Sequence, residues 1–150
     1  MPKFKGFGSL KTPRDLVSKL EHDLRRIKED PEDQYAAFDF FVTAEHIVDW
    51  CHPANRQGRE DLRASSPLLR ITSHIANGAK HFETTAKRHC SVTDVEVFHW
   101  VKPGYVEAGY AEEPLVVQLS PDEASQLGRN RIDLPSLAQL VFEFWDAEVS

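Results

Sequence analysis

Prolines that directly follow a short polar side chain mark the helix starts of this chain. Thr12-Pro13, Asp30-Pro31 and Ser66-Pro67 each pair a residue that accepts hydrogen bonds from a first helical turn with a proline whose backbone angle suits that turn. Leu134-Pro135-Ser136 is a fourth start of related composition. Apolar residues recur three or four positions apart after each start. The pattern predicts four helices, over about 12–28, 31–51, 66–82 and 135–148.

The third predicted helix contains Asn77-Gly78, a dipeptide that is typical of tight turns. A hairpin would need alternating apolar residues on both sides, and these are absent. An apolar stripe instead runs across the glycine, formed by Leu68, Ile71, Ile75, Ala79 and Phe82. We therefore expect a continuous helix, in which Gly78 costs about 1 kcal/mol relative to alanine and allows a neighbouring helix to approach closely.

The region between the third and last helices has a different periodicity. Val95, Val97 and Val101 fall on alternate positions, and the segments "LVVQL" and "RIDL" are also strand-like. The intervening "SPDEASQLG" predicts a capped helical turn or a surface loop. The connection "ANRQGREDLRAS" after the second helix is polar, with room for one short helical turn.

Together these elements predict an α+β fold that is mainly α. The second helix is apolar nearly all round, so we place it at the centre of a helical bundle. A small antiparallel sheet and a C-terminal helix pack against that bundle. The predicted organisation is a loose arm and one domain with three parts: 1–11 for the arm and 12–150 for the domain, comprising the bundle (12–90), the β element (92–133) and the C-terminal helix (135–148).

Charge and cysteine content restrict the class of protein. The net charge of −6 over 150 residues argues against a broad nucleic-acid surface, which needs clustered cations. Cys51 and Cys90 form no CxxC pair or disulfide framework, and each is expected to be a small, at least half-buried thiol. No apolar run approaches the ~20 residues of a membrane span. We therefore expect a cytoplasmic protein that is not associated with a membrane.

Polar side chains lie on one face of the third helix. Arg70, His74, Asn77 and His81 fall close together in angle at about 100° per residue. The second helix carries a polar stripe of its own, formed by Tyr35, Asp39, His46 and Trp50, with Asp49 one step round. If the two stripes meet, carboxylates would orient and charge the imidazoles for acid–base chemistry. The alternative is that the third-helix face is solvated and that Asp39 and His46 make structural hydrogen bonds.

The same stripes contain one possible metal-ligand set. His46, Asp49, His74 and His81 come from two helices, as in metal sites of helical bundles. Neither of these two helices carries an HxxxH or an ExxH signature. No cofactor-binding motif is present either, so no cofactor is expected.

The stretch Ala76-Asn77-Gly78-Ala79-Lys80-His81 resembles the HEPN ribonuclease motif, which is an arginine, a polar residue, three variable residues and a histidine. Asn77 and His81 match, whereas Ala76 stands at the arginine position. In that family the arginine and histidine, brought together across a dimer, promote metal-independent attack by the RNA 2'-hydroxyl. The resemblance implies a helical bundle, a homodimer and a site that has lost the group expected to stabilise phosphoryl charge.

The "ANGAKHF" helix, the strand segment and the terminal "FEFW" helix are together similar to small bacterial proteins of uncharacterised activity. That resemblance implies no reaction.

Three functional hypotheses follow. The first is a non-catalytic or degenerate HEPN-like binding protein that acts as a homodimer or on a partner protein. The second is a metal-independent ribonuclease with His81 as base, in which Asn77, Lys80, Arg70 and His74 complete the site; RNA is a possible partner that the charge does not indicate. The third is a bundle metal site.

Overall fold

The computed structural model describes residues 4–81, 92–97 and 115–149, with backbone only for a few of them, among which is His81. Within these ranges the chain forms six helices and three strands, in an α+β fold that is mainly α, as predicted. In chain order they are α1 Pro13–Glu29, α2 Gln34–Cys51, α3 Arg56–Ala64, α4 Pro67–His81, β1 Val92–Val97, β2 Leu115–Leu119, α5 Pro121–Leu127, β3 Arg131–Asp133 and α6 Leu134–Glu148.

Helix α1 begins as its sequence predicts. The Thr12 hydroxyl accepts a hydrogen bond from the Asp15 N–H at 3.2 Å, and the Asp15 carboxylate accepts one from the Thr12 N–H at 2.9 Å. This reciprocal pair is a capping box, which satisfies two backbone donors at the start of the helix. Hydrogen bonds from the Lys11 and Thr12 N–H groups lower the pKa of the Asp15 carboxyl.

The predicted start of α2 at Asp30-Pro31 is wrong. Asp30 caps the end of α1 instead, and its N–H donates to the Arg26 carbonyl at 3.0 Å. Asp33 is the N-cap of α2, because its carboxylate accepts hydrogen bonds from the N–H groups of Tyr35 and Ala36 at 2.9 and 3.1 Å. Two acids three residues apart both suit a cap, and the turn between the helices decides which of them is used.

Helix α3 replaces the single turn expected in the polar connection. Asn55 caps it by accepting a hydrogen bond from the Gly58 N–H at 2.9 Å. Side-chain pairs four residues apart, from Arg56 to Glu60 and from Gln57 to Asp61, support its exposed surface. None of its residues is fully buried.

Helix α4 is continuous through Asn77-Gly78, as predicted. Its buried arc is rotated from the predicted stripe, because Leu68 and Ile75 are only partly buried, and Phe82 lies outside the described residues. The fully buried residues of the helix are Leu69, Ile71, Thr72, Ser73 and Ala76. The close approach expected at Gly78 is also absent, because a β-carbon added there would meet no described atom within 4 Å.

The strands form an antiparallel sheet in the order β1-β2-β3. Val95 pairs with Val117, which in turn pairs with Ile132. The segment "SPDEASQLG" forms helix α5, the helical one of the two predicted alternatives, and Gly128 ends it in the left-handed conformation at φ 73°. The predicted continuation of β1 to Val101 lies outside the described residues.

A single apolar cluster joins α1, α2, α4, α6 and the sheet, and α2 is central to it, as predicted. Its largest members are Trp145, Phe40 and Phe41, all essentially inaccessible to solvent. Cys51 is partly buried, and burial raises the pKa of its thiol; Cys90 lies outside the described residues. Among the residues that the structure describes, no helix combines the length and apolarity needed to span a membrane.

Candidate functional site: an arginine cleft and its neighbour

A cleft with a volume of about 1150 Å³ lies between α3, α4 and α5. We call it the arginine cleft. Its charged lining residues are Arg56, Arg59, Glu60, Arg63, Arg70, Asp122 and Glu123. Four arginines around one cleft are notable in a chain whose net charge is −6. The cleft is therefore a local concentration of guanidinium groups on an otherwise acidic protein.

Helix geometry places three of these arginines together. Arg56, Arg59 and Arg63 are separated by three and then four residues, so they share one face of α3. The cap at Asn55 sets the start of the helix, and therefore the direction of that face. We refer to these three side chains as the α3 arginines.

Carboxylates orient the α3 arginines without occupying all their donors. Arg56 Nε donates to Glu60 at 3.0 Å, Arg59 Nε lies 3.5 Å from Asp49 Oδ1, and Arg63 Nε donates to Glu45 Oε1 at 2.9 Å. Within the described residues, no hydrogen bond is made by Nη2 of Arg59, Nη1 of Arg63 or either terminal nitrogen of Arg56. Arg59 and Arg63 are thus held in place, whereas Arg56 is 80% exposed, and all three keep N–H groups for a further partner.

Arg70 differs from the α3 arginines because protein acceptors use its whole fork. Nε donates to Glu123 Oε1 at 2.9 Å, Nη1 to the Ala64 carbonyl at 2.7 Å and Nη2 to Gln126 Oε1 at 2.8 Å. These contacts tie α4 to α5 and to the end of α3. Arg70 therefore has a structural role, and its guanidinium group is not available to a ligand.

A second, smaller cleft of about 400 Å³ lies between α2 and α4, and we call it the α2–α4 cleft. It adjoins the arginine cleft, since Arg63 and Ser73 line both. Its other lining residues are Phe38, Val42, Glu45, His46, Asp49, Ala76, Asn77 and Lys80. The structure therefore brings together four of the residues that the sequence singled out: His46, Asp49, Asn77 and Lys80.

His74 and Asp39 lie away from this meeting point. His74 Nδ1 accepts a hydrogen bond from the Val92 N–H at 2.9 Å, which ties α4 to β1. Burial lowers the pKa of its imidazole, whereas the facing-stripe hypothesis required a charged histidine. Asp39 accepts a hydrogen bond from Arg26 of α1 at 2.8 Å. Neither residue lines the α2–α4 cleft.

Asn77 is engaged with its own helix. Its amide nitrogen donates to the Ser73 carbonyl at 2.8 Å, a helix-internal contact that leaves the amide oxygen directed elsewhere. The side chain of His81 lies outside the description, so its predicted role as a base remains a prediction.

The proposed metal ligands are only partly together. His46 and Asp49 line the α2–α4 cleft, and His74 faces β1. No group of three or more histidine, cysteine or acidic side chains suited to a metal ion occurs among the described residues. The predicted set includes His81, whose side chain is not described, and it stays a prediction.

Glu45 is a residue that sequence reasoning missed. It is 8% exposed, lies at the border of the two clefts, and its Oε2 has no hydrogen-bond partner in the described part of the chain. Burial raises the pKa of its carboxyl, and the neighbouring Arg63 guanidinium opposes that effect. The available signal was its spacing from Phe41 and Val48, four residues before it and three after it, which places this acid on an apolar face of the second helix.

The α3 arginines were missed for a different reason. Their spacing is visible in "ANRQGREDLRAS", yet the segment carries no apolar stripe and therefore predicts a polar connection. The helical i, i+3, i+7 spacing of like charges was the signal.

Comparison of the chain with protein-family models, curated proteins and solved structures finds no match.

Proposed function

We propose that this protein is a non-catalytic binding protein whose ligand is a small molecule bearing phosphate or carboxylate groups. The observation that carries the proposal is the row of α3 arginines, which line a cleft of about 1150 Å³ with guanidinium N–H groups that no described residue uses.

Guanidinium chemistry supports this ligand class. The planar fork of arginine matches the oxygen pairs of phosphate and carboxylate groups, and such charge-assisted hydrogen bonds are stronger than neutral ones. Asp49 and Glu45 hold two of the three side chains, which reduces the entropy lost when a ligand orders them. The overall acidity favours a small anion over a long polyanion, since a nucleic acid would meet repulsion outside the cleft.

The absence of catalysis is supported by what stands at the motif positions. Ala76 occupies the arginine position of the HEPN-like stretch. Of the two cations that could replace that arginine, Arg70 is occupied by Glu123, Gln126 and the Ala64 carbonyl, whereas Lys80 lines the α2–α4 cleft. A binding role therefore agrees with the contacts of Arg70, and it requires no catalytic group at the Ala76 position.

Titration calorimetry with pyrophosphate and, separately, citrate tests the proposal. We expect binding by at least one of these anions, and a loss of about tenfold in affinity for Arg56→Ala/Arg59→Ala. This pair leaves the Arg63–Glu45 contact intact. Arg25→Ala/Lys28→Ala removes the same charge from exposed positions on α1 and is the matched control, for which we expect a change below about twofold.

Two results contradict the proposal. One is the absence of measurable binding for both anions. The other is equal weakening by the α3 pair and the α1 pair, which would mean that the anion responds to net charge alone. A preference for pyrophosphate or citrate assigns the ligand to the phosphate or the carboxylate class.

A metal-independent ribonuclease is the second candidate, because Asn77 and Lys80 line the α2–α4 cleft together with the exposed imidazole of His46. Incubation with mixed RNA in EDTA tests it. Cleavage that His81→Ala abolishes supports the ribonuclease and contradicts the binding-only proposal. Cleavage that His81→Ala leaves unchanged identifies a contaminant.

We further propose that the protein acts in the cytoplasm, because its two cysteines form no disulfide framework, and as a homodimer, because the HEPN resemblance implies one. Light scattering at several protein concentrations measures the oligomeric state. A mass of one chain at all concentrations contradicts the homodimer.

A further inference from the structure

The two clefts adjoin at the Glu45–Arg63 ion pair. Glu45 lines the α2–α4 cleft, whereas Arg63 and Ser73 line both clefts. A ligand whose anionic group contacts the α3 arginines therefore has an adjoining space on the far side of that ion pair.

The α2–α4 cleft, which is this adjoining space, has the side chains expected of a site that binds an aromatic ring. Phe38 lines it and is 51% exposed, whereas the next two phenylalanines of α2, Phe40 and Phe41, are buried. Polar groups complete the wall, in particular Asn77 and Lys80. An exposed aromatic face beside polar groups is a common arrangement for stacking a flat heterocycle and hydrogen-bonding its edge.

Helix α2 sets the distance between the aromatic ring of Phe38 and the nearest of the α3 arginines. Phe38 and Glu45 are seven residues apart on the helix, a rise of about 10 Å. Arg63 contacts Glu45, so the ring position and the nearest α3 arginine are separated by about two helical turns. A ligand that uses both must carry its outer anionic group well away from its ring, as the terminal phosphate of a nucleoside diphosphate is.

From this arrangement we infer that the two clefts form one site for a nucleoside diphosphate or triphosphate, with the base on Phe38 and the outer phosphates on the α3 arginines. The inference rests on the proposed anion-binding function and narrows its ligand class. Asn77 and Lys80 contact the base or sugar, and the phosphates cross the Glu45–Arg63 pair.

Titration calorimetry with ADP, GDP, CDP and UDP, compared with pyrophosphate and with adenosine alone, tests the inference. Base stacking predicts that at least one diphosphate binds about 10- to 100-fold more tightly than pyrophosphate. Phe38→Ala is expected to remove most of that gain while leaving pyrophosphate affinity within about twofold, and Phe38→Tyr to restore it.

Tyr35→Ala is the matched control. Tyr35 is an aromatic residue of the same helix, is 83% exposed and lines neither cleft. Its substitution should leave all affinities unchanged. Circular dichroism of each variant verifies that the helices are retained.

Failure of the inference is distinguishable from failure of the proposed function. Equal affinity for pyrophosphate and every nucleoside diphosphate overturns the inference and leaves the anion site in place. Tight diphosphate binding that Phe38→Ala does not weaken also overturns it. Binding that Arg56→Ala/Arg59→Ala does not weaken overturns the proposed function as well.

Discussion

Charge pairs at the α1–α2 interface and charge pairs on α3 have the same chemistry but different surroundings. At the α1–α2 interface, Asp23 is 1% exposed and accepts hydrogen bonds from Lys19 at 2.7 Å and Arg26 at 3.3 Å. Lys19 also donates to Thr43 and Arg26 to Asp39, so each member has at least one partner inside the group. We call these five side chains the interface network. None of them lines the arginine cleft or the α2–α4 cleft.

The α3 arginines are also paired with carboxylates, yet they line the arginine cleft and keep N–H groups that no described residue accepts. An ion pair by itself is therefore weak evidence of a functional site in this protein. The informative difference lies in the hydrogen bonds. The side chains of the interface network bond to one another, whereas the α3 arginines are oriented by carboxylates and keep N–H groups without a described acceptor.

The largest expected effect of a substitution belongs to the interface network. Asp23→Ala should lower the free energy of unfolding by roughly 2–3 kcal/mol, because it removes a buried acceptor and leaves two cations without their common partner. Chemical denaturation measures this loss.

Asp49→Ala is the comparison, because the Asp49 side chain is 49% exposed and lies 3.5 and 3.6 Å from its arginines. It should cost below about 1 kcal/mol. Equal losses for the two variants would remove the distinction between the interface network and the cleft.

Glu45 should make stability depend on pH in a recognisable direction. Because burial raises the pKa of its carboxyl above the ordinary 4.5, the folded state binds this proton more tightly than the unfolded state does. Its contribution to stability is full below pH 4.5 and is lost as the pH rises through the raised pKa.

Glu45→Gln lacks that titration. The stability of the wild-type protein relative to this variant should therefore fall as the pH rises from 4.5 toward neutrality, as measured by denaturation at a series of pH values. A difference that increases over the same range would mean that Arg63 outweighs burial.

His74 should respond to pH in the opposite direction. Burial lowers the pKa of its imidazole below 6.5, so the stability that the neutral ring provides is lost as the pH falls through 6.5 and on through the lowered value. Protonated Nδ1 cannot accept the Val92 N–H, and the loss should be about 1 kcal/mol, the contribution of one hydrogen bond.

Hydrogen exchange at the Val92 amide measures this change directly. We expect faster exchange at pH 5.5 than the intrinsic pH dependence predicts, and no such excess in His74→Gln. His46→Gln, at an exposed position on α2, is the control and should behave as the wild-type protein does.

The smallest expected effect concerns the helix that both clefts share. Gly78→Ala should stabilise the protein by about 0.5–1 kcal/mol, because the added β-carbon meets no described atom and the unfolded chain loses freedom. Gly128→Ala should instead destabilise it by about 1 kcal/mol, since φ is +73° there. Thermal unfolding separates the two. Destabilisation by Gly78→Ala would indicate that α4 is not regular at this position.

Much of the fold could be predicted because its signals are local. The capping box at Thr12, the continuity of α4 and the start of α6 depend on neighbours within one or two helical turns. The start of α2 could not be resolved in this way, since Asp30 and Asp33 are both competent caps and the turn between the two helices decides which of them is used.

The site was less predictable, because a helical wheel gives angles on one helix and says nothing of the neighbours around it. Arg70, His74 and Asn77 share a face of α4, yet they contact α5, β1 and α4 itself in turn. Residues on one face of a helix can therefore contact different elements of the chain, because different elements pack along the length of the helix.

The sequence by itself determined the α+β class, most helix positions and the presence of a polar face on α4, since these follow from caps and periodicity. Only the tertiary structure decided which polar side chains are saturated and which are open. In the tertiary structure Glu45 is buried and Asp23 is hydrogen-bonded within the interface network. The α3 arginines line a cleft and keep N–H groups without a described acceptor. The physical reason is that hydrogen-bond satisfaction depends on residues far apart in the chain, such as Arg70 and Glu123, which no local pattern brings together.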